Sequence, residues 1–518
     1  MGCVPLSPIT RAASAADLRL PGTPALSPIG RLAPSFALLD QSPLPCFVNG
    51  EAWKGSASYE VKDPHNTSKV LHTVSSITVD DVPKVVETAA KAAKSWKNSS
   101  VLERRKIFEK AAALLRAKRA EFAQVEFHET TSSEGWAGFE ASLAADSIEE
   151  VAAVATAALR GEIATTDAHQ RAYIERCPFG VVLGMAPWNA PLMLGQRACL
   201  QPIMAGNSEI SPRTHMIIAE IMKEAGLPDG VLTIIHVSPQ DAPKVVEALI
   251  AAPAILKINF TGSTRVGSIV AQTAGRYLKP VVLELGGKAP AIVCADADLE
   301  HAANAIKFGA WFHSGQICMA SQSAIVHESV ADKFLEIFGA KVPRASGNPD
   351  DKEAALRGLF THASAQRVKE IVDDALSKGA KVVVGEENKI EGNVVQPMLL
   401  KGVTEEMRIY REEMFAPVFS ILTFKTEEQA IHYANDHDYG LAAAIYSADT
   451  ANAYKLARQV DSGMVHINGS SVHDSASMPH GGWKSSGYGR FNGIEGIREF
   501  TQTKVITIND KHAYPAPV

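Results

Sequence analysis

Residues 231–267 read VLTIIHVSPQDAPKVVEALIAAPAILKINFTGSTRVG, and this stretch decides the fold class. Val231–His236 is an apolar run of strand length, Ala242–Ala251 has helical spacing, and Ile255–Phe260 is a second strand. Such alternation predicts an α/β protein with a parallel sheet. The pattern extends outward in both directions. Upstream, Val82, Val85, Val86, Ala89, Ala90 and Ala93 repeat at helical spacing behind a capping Asp80 or Asp81. Residues 101–128 and 139–159 read as further long helices. Val181–Ala186 is a short buried run, and Pro212–Ala225 is helical until Gly226-Leu227-Pro228 ends it. Downstream, a second alternating set has strands near 290–293, 321–326, 381–384, 418–424 and 464–468. Two α/β units of similar size fit this pattern better than one.

The chain has 518 residues, with 51 Lys+Arg against 57 Asp+Glu, a formal net charge of -6. That balance lacks the basic footprint of a nucleic-acid binder. Six cysteines, at 3, 46, 177, 199, 294 and 318, form no Cys-x-x-Cys pair and no disulfide framework, so a reducing, cytoplasmic compartment is expected. The uncharged stretch Cys177–Gln196 contains Pro178, Pro187 and Pro191, which make it a poor membrane span. Residues 1–45 stand apart, with 8 of the 28 prolines and Phe36 as their only aromatic. They read as a disordered leader. Its arginines and scarcity of acids suggest a mitochondrial address, but its prolines oppose the amphipathic helix such addresses form. Leu6 occupies the position where the myristoylation pattern wants Ser or Thr.

Three stretches carry candidate chemistry. In Phe260-Thr261-Gly262-Ser263-Thr264-Arg265-Val266-Gly267 a strand runs through a Gly-containing turn into a helix, a junction that attracts phosphate. It lacks the full G-x-G-x-x-G fingerprint, and an ordinary Ser-capped turn is the alternative. Cys318, in Gly315-Gln316-Ile317-Cys318-Met319, is a nucleophile if a base or positive group serves its thiol, and otherwise a buried filler. Glu284, flanked by apolar residues and followed by Gly286-Gly287-Lys288, is a desolvated general base or else the partner of Lys288. Asn189, between Pro187-Trp188 and Ala190-Pro191, offers an amide donor to an oxyanion, or simply makes a turn.

Taken together and in order, Pro187-Trp188-Asn189, Phe260-Thr261-Gly262-Ser263, Glu284-Leu285-Gly286-Gly287-Lys288 and Gly315-Gln316-Ile317-Cys318 resemble the NAD(P)-dependent aldehyde dehydrogenase superfamily. Glu412–Val418 and Pro479–Gly487 extend the resemblance, which covers about residues 46 to 510. It implies Cys318 as nucleophile, Asn189 as oxyanion donor and Glu284 as the base that activates water. It also implies Pro187, Trp188, Glu209, Phe260, Gly262, Ser263, Gly267, Leu285, Gly286, Glu413 and Phe415 around the cofactor. NAD is expected rather than NADP, because Glu209 matches a position that disfavours a ribose 2′-phosphate; no metal is expected. The closest look is to the salicylaldehyde and vanillin dehydrogenase branch, where Trp136 and Arg197 match substrate-tunnel positions. Arg197 would meet a phenolic or carboxylate group there, or else lie on the surface.

The resemblance further implies a Rossmann-like NAD-binding domain (46–168 and 184–286) and an α/β catalytic domain (287–494). A small β oligomerisation flap (169–183 and 495–510) would make a homodimer or homotetramer. Two departures stand out. Relatives follow Ala205-Gly206-Asn207 with a strand of the form T-V-V-L-K, whereas here Ser208-Glu209-Ile210-Ser211-Pro212 follows at once. About six residues are missing, including a sheet strand and a Lys that grips the adenosine ribose. Ser323 stands where many relatives carry Arg. The gap reflects either a mis-spliced sequence or a diverged member, whose extreme form would be a non-catalytic binding or structural protein with lost cofactor affinity.

Overall fold

The computed structural model describes residues 36–510, apart from 168, 207, 212–215, 341, 349, 352 and 386–388. Among the described residues, strands form two large sheets and a three-stranded sheet, with two small hairpins beside them. The deciding stretch folds as strand Leu232–Ile234, helix Ala242–Ala251, strand Ile255–Thr261 and helix Thr264–Arg276. Its two strands are not neighbours. Ile255–Thr261 lies between Val181–Met185 and Val281–Glu284, parallel to both. Parallel strands at the centre of a sheet are covered on both faces, and all of Val181–Met185 and all but Leu256 of Ile255–Thr261 is buried.

The missing strand is present. Ser208–Ser211 pairs in parallel with Val181–Leu183 on one side and Leu232–Ile234 on the other. The expectation of a lost strand is therefore wrong, and its physical reason is plain. An empty slot would leave two rows of buried backbone groups without partners. The chain fills it with the residues that come next: the helix Pro191–Ala205 ends on Gly206 (φ 99°), and the strand begins two residues later. Glu209 thus sits inside the strand, opposite Val182 and Leu232.

The second large sheet runs Lys381–Gly385, Met398–Lys401, Val418–Phe424, Ser321–His327, Ala289–Val293, Ala442–Tyr446, Met464–Ile467, parallel except at its first edge. Thr501–Asn509, Gln170–Pro178 and Glu162–Asp167 form the three-stranded antiparallel sheet. Its hairpin thus lies upstream of the predicted span, because Val181–Met185 joins the first large sheet.

Two helices differ from their predicted bounds. The run expected over 101–128 breaks at Lys118 into Val101–Ala117 and Arg119–Glu129. The helix expected over 139–159 begins at Glu134, because the Ser133 hydroxyl caps the Trp136 N–H.

The leader is shorter than the composition suggested. Phe36 is fully buried, with the Lys118 ammonium over its ring, and Glu220 accepts the N–H groups of Ala37 and Leu38. Leu44 joins the backbone of Thr73 and Ser75. One buried aromatic supplies about 1.5–3 kcal/mol, enough to anchor a short segment that average composition marks as unfoldable. The rest of the predicted leader, residues 1–35, lies outside the described residues. No helix among those described is long and apolar enough to cross a membrane.

Candidate active site

Four loops meet where the two large sheets face each other. The first leaves the strand Val281–Glu284, placing Glu284 at its carboxyl end and Leu285-Gly286-Gly287 in the turn beyond. Ser486 fixes this turn: its carbonyl accepts the Leu285 N–H, and its hydroxyl donates to the Gly286 carbonyl at 2.7 Å. The Glu284 carbonyl accepts the Gly262 N–H at 3.0 Å, which joins the turn to the strand–helix junction at Thr261–Ser263. There the Ser263 hydroxyl accepts the Val266 N–H and caps the helix Thr264–Arg276. Gly267 lets that helix lie against Leu285, since a Cβ would come within 2.4 Å of Leu285 Cδ2.

The second loop delivers Cys318. It follows the helix Leu299–Trp311 and contains His313, Ser314 and Gly315 in succession at φ 51°, 55° and 71°. Left-handed backbone at two non-glycine residues is strained by about 1–3 kcal/mol each. It persists because Gln316 is fastened on both sides: its Nε2 donates to Thr131 Oγ1, and its Oε1 accepts the Phe360 N–H at 2.9 Å. Cys318 itself is half-buried in an apolar cluster that includes Trp136, Leu194, Ile317 and Met319.

The third loop is Pro187-Trp188-Asn189, ahead of the helix Pro191–Ala205. Asn189 is buried, and its Nδ2 donates to the Gln316 carbonyl at 3.0 Å. This leaves its second amide hydrogen for a ligand beside Cys318. Trp188 stacks on Phe360 with centroids 4.1 Å apart, and its ring meets the Phe415 ring edge-on at 6.0 Å.

The fourth loop carries Glu413 and Phe415, the latter at φ 52°. Glu413 Oε1 accepts the Gly287 N–H at 2.9 Å. Burial raises its carboxyl to about 7, against the pull of that N–H and of Arg367 and Lys288. Gln322, missed in the sequence, binds two of these loops: its Nε2 donates to the Gly287 carbonyl and its Oε1 accepts the Met414 N–H.

The competing readings now separate. Glu284 is 1% exposed and faces His480, whose Nε2 lies 3.6 Å from Oε1. It is not the partner of Lys288, whose ammonium donates to the Glu412 carbonyl at 2.9 Å. Glu284 and Cys318 are close neighbours, with Sγ, a carboxylate oxygen and a His480 nitrogen all within 4.8 Å of one another. Burial, and then the Glu284 carboxylate, push the Cys318 thiol well above its ordinary range. Cys318 thus lies beside a buried carboxylate in surroundings that disfavour its thiolate.

Trp136 stacks on His313 at 4.4 Å and contacts Phe312 and Phe139, forming an aromatic wall. Burial lowers His313 to about 3, so its ring stays neutral. Arg197 is not a surface residue. It is 4% exposed and ion-paired through Nη2 with buried Asp474, with its guanidinium over the Phe491 ring. Ser323 is buried in the strand Ser321–His327, between Pro290 and Ser420.

The profile described as "Aldehyde dehydrogenase family" matches residues 52–506. A vanillin dehydrogenase of Pseudomonas sp. strain HR199 is 44% identical over 482 residues, 91% of this chain and 99% of that protein. A salicylaldehyde dehydrogenase of Pseudomonas sp. strain C18 is 39% identical over 481 residues, 90% of this chain and 99% of its own. The crystal structure of a salicylaldehyde dehydrogenase from Pseudomonas putida G7 complexed with salicylaldehyde superposes with a TM-score of 0.88 at 38% identity, covering 91% of this chain and 99% of that one. Likeness of this extent, in sequence and in fold alike, makes the chain an oxidoreductase that belongs to the aldehyde dehydrogenase family.

Proposed function

We propose that this protein oxidises aromatic aldehydes of the salicylaldehyde and vanillin type to carboxylic acids, with NAD as electron acceptor. The observation that carries the substrate class is the wall of Trp136, Phe139, Phe312 and His313 packed around the Cys318 loop. Such a wall rewards a flat apolar ring over a short aliphatic chain. The names of the similar vanillin and salicylaldehyde dehydrogenases support the same choice.

Each residue then has a task. Glu284 takes the thiol proton, and Cys318 Sγ bonds to the aldehyde carbon. The free Asn189 amide hydrogen donates to the developing oxyanion. A nicotinamide held by the residues named below would supply the two-electron acceptor that oxidation to the thioester requires. Glu284 next takes a proton from water, whose oxygen attacks the thioester carbon; the C–S bond breaks and the acid departs.

The residues fit a dinucleotide. The helix at Ser263 presents first-turn N–H groups to phosphate. Buried Glu413 offers a carboxyl to a ribose hydroxyl. Preference for NAD over NADP is proposed from the resemblance, in which Glu209 matches a position that disfavours a ribose 2′-phosphate. A homo-oligomer is proposed from the edge strand Thr501–Asn509, which leaves Val505, Ile506 and Ile508 exposed. A cytoplasmic location is proposed from the reduced thiols of Cys46, Cys177, Cys294 and Cys318. The non-catalytic reading has lost its motive, since the strand it required to be absent is in place.

The test is NADH formation at about 340 nm, the nicotinamide absorbance, with salicylaldehyde, vanillin and a series of aliphatic aldehydes. The proposal expects aromatic substrates to dominate and Cys318→Ala to abolish the signal. No NADH with any aldehyde, or a preference for short aliphatic ones, refutes it.

A further inference from the structure

The roles above ask Glu284 to act as a base twice in one turnover, first on the thiol and then on water. A carboxylate that has kept the first proton cannot take the second. Glu284 is almost wholly buried, neither of its oxygens has a hydrogen-bond partner, and no Lys or Arg nitrogen lies within 4 Å of it among the described residues. A lone buried carboxylate is strongly disfavoured.

One group answers both problems. His480 is 0% exposed, and neither ring nitrogen has a hydrogen-bond partner. Its Nε2 points toward Glu284 at 3.6 Å, and its Nδ1 lies 3.8 Å from Asp474 Oδ1. Its backbone is pinned by two hydrogen bonds with Phe491, at 2.9 and 2.8 Å. Asp474 is itself anchored: Arg197 holds Oδ2, and the Asn492 amide donates to Oδ1 at 2.9 Å. Burial alone would raise the Asp474 carboxyl, but Arg197 and then His480 keep it below the usual carboxylate range. An ionised aspartate thus stands behind an imidazole that faces the base.

We infer that His480, backed by Asp474, receives the thiol proton from Glu284 and stores it, returning Glu284 to the carboxylate form before water attacks. This rests on the assignment of Cys318 and Glu284 above. The S–H bond breaks and the proton passes through Glu284 Oε1 to His480 Nε2, leaving thiolate, carboxylate and imidazolium. After thioester hydrolysis the proton taken from water is on Glu284 and returns to the departing Cys318 thiolate. The imidazolium proton is the one proton that each oxidation to the free carboxylic acid releases. Other titratable groups near His480 are His466, lowered to about 4 by burial and then by His473, and His473 itself. Arg197 and Glu413 act on Cys318 from further out.

The test reads the thiol without cofactor or aldehyde. The pH dependence of Cys318 alkylation by iodoacetamide is measured in the full chain, with Cys318→Ala giving the background from the other cysteines. An imidazolium within reach stabilises the thiolate, so His480→Gln is expected to move the alkylation midpoint up by about one unit or more. In turnover the same variant is expected to lower kcat about 10- to 100-fold and to leave KM for NAD within about twofold. Asp474→Asn, which keeps the imidazole, is expected to shift both readouts in the same direction by less, and it carries the test if His480→Gln does not fold. Thermal unfolding identifies a folded variant. A folded His480→Gln with unchanged midpoint and unchanged pH profile of kcat overturns the inference. Activity that survives Cys318→Ala would instead overturn the assignment beneath it.

Discussion

Replacing Gly287 with Ala tests whether the catalytic geometry is set by contact between two loops. A Cβ on residue 287 would lie 2.2 Å from the Cys318 carbonyl oxygen and 3.5 Å from Leu441 Cβ. A carbon and a carbonyl oxygen need about 3.2 Å, so something must move by about 1 Å. Neither loop is free to give. The Gly287 N–H is bound to Glu413 and its carbonyl to Gln322, while the Cys318 loop is fastened through Gln316. Overpacking of this kind destabilises by about 1–3 kcal/mol. A misplacement of about 1 Å at the reacting atoms lowers the rate about 100-fold, or about 2.7 kcal/mol in the barrier. The expected result is a kcat/KM for salicylaldehyde about two orders of magnitude below wild type, with the thermal midpoint lower by only a few degrees. Gly286→Ala is the control. Its Cβ would meet Glu413 Oε2 at 2.5 Å, the end of a side chain that can turn aside. It should raise KM for the cofactor more than it lowers kcat. The reasoning fails if Gly287→Ala keeps more than about a third of wild-type kcat/KM.

Three further outcomes follow from named contacts. Arg197→Met leaves Asp474 buried without its ion pair, so it is expected to destabilise by about 3–5 kcal/mol in urea unfolding, whereas a residue that only touches substrate would leave stability unchanged. Trp136→Phe weakens the stack on His313 and is expected to lower kcat/KM for vanillin up to about tenfold while leaving butanal within about twofold. Glu126 and Glu140 are buried side by side; burial raises both carboxyls, and the charge of Glu126 raises Glu140 further. A raised carboxyl pKa stabilises the fold at acid pH, and that contribution is lost as pH rises through the folded-state value. The thermal midpoint of the wild type should therefore fall between about pH 4.5 and 7, and Glu140→Gln should flatten that slope; an unchanged slope in differential scanning fluorimetry counts against it.

The local chemistry was legible because it is contiguous. Pro187-Trp188-Asn189 and Gly315–Cys318 each set a turn within a few residues, and the apolar flanks of Glu284 already signalled its burial. What could not be read is what joins distant parts of the chain. Asp474 and His480 are almost two hundred residues from Glu284, and nothing in either short stretch announces a buried carboxylate–imidazole pair. Gln322 is an unremarked residue in a strand until the Gly287 and Met414 backbones close on it. Arg197 lay on a helix that is buried on every side, Pro191–Ala205, so the question of tunnel or surface had no local answer. Phe36 shows the limit of composition: an average over 45 residues concealed one anchor.

The strand Ser208–Ser211 shows how a sheet absorbs a deletion. Between Val181–Met185 and Leu232–Ile234 the slot is fixed by its neighbours, and any four residues that can extend will be drawn into it, since an empty slot strands buried backbone donors and acceptors. The ladder ends at Ser211. The loss is thereby moved from the sheet to the turn that leads into the helix Met216–Ala225. The resemblance implies a strand ending in Lys ahead of that connection; here the strand is Ser208–Ser211, with Glu209 in its ladder. Catalysis by Cys318, Glu284 and Asn189 depends on other loops and should be intact. The Lys that the resemblance places at the adenosine ribose is what the deletion removes. A wild-type enzyme with ordinary kcat and a raised KM for NAD is the signature expected of this division. Restoring a Thr-Val-Val-Leu-Lys-Ala insert after Asn207 should lower that KM about tenfold or more, the worth of one charged hydrogen bond. An insert that leaves KM unchanged would mean that the shortened turn already grips the ribose.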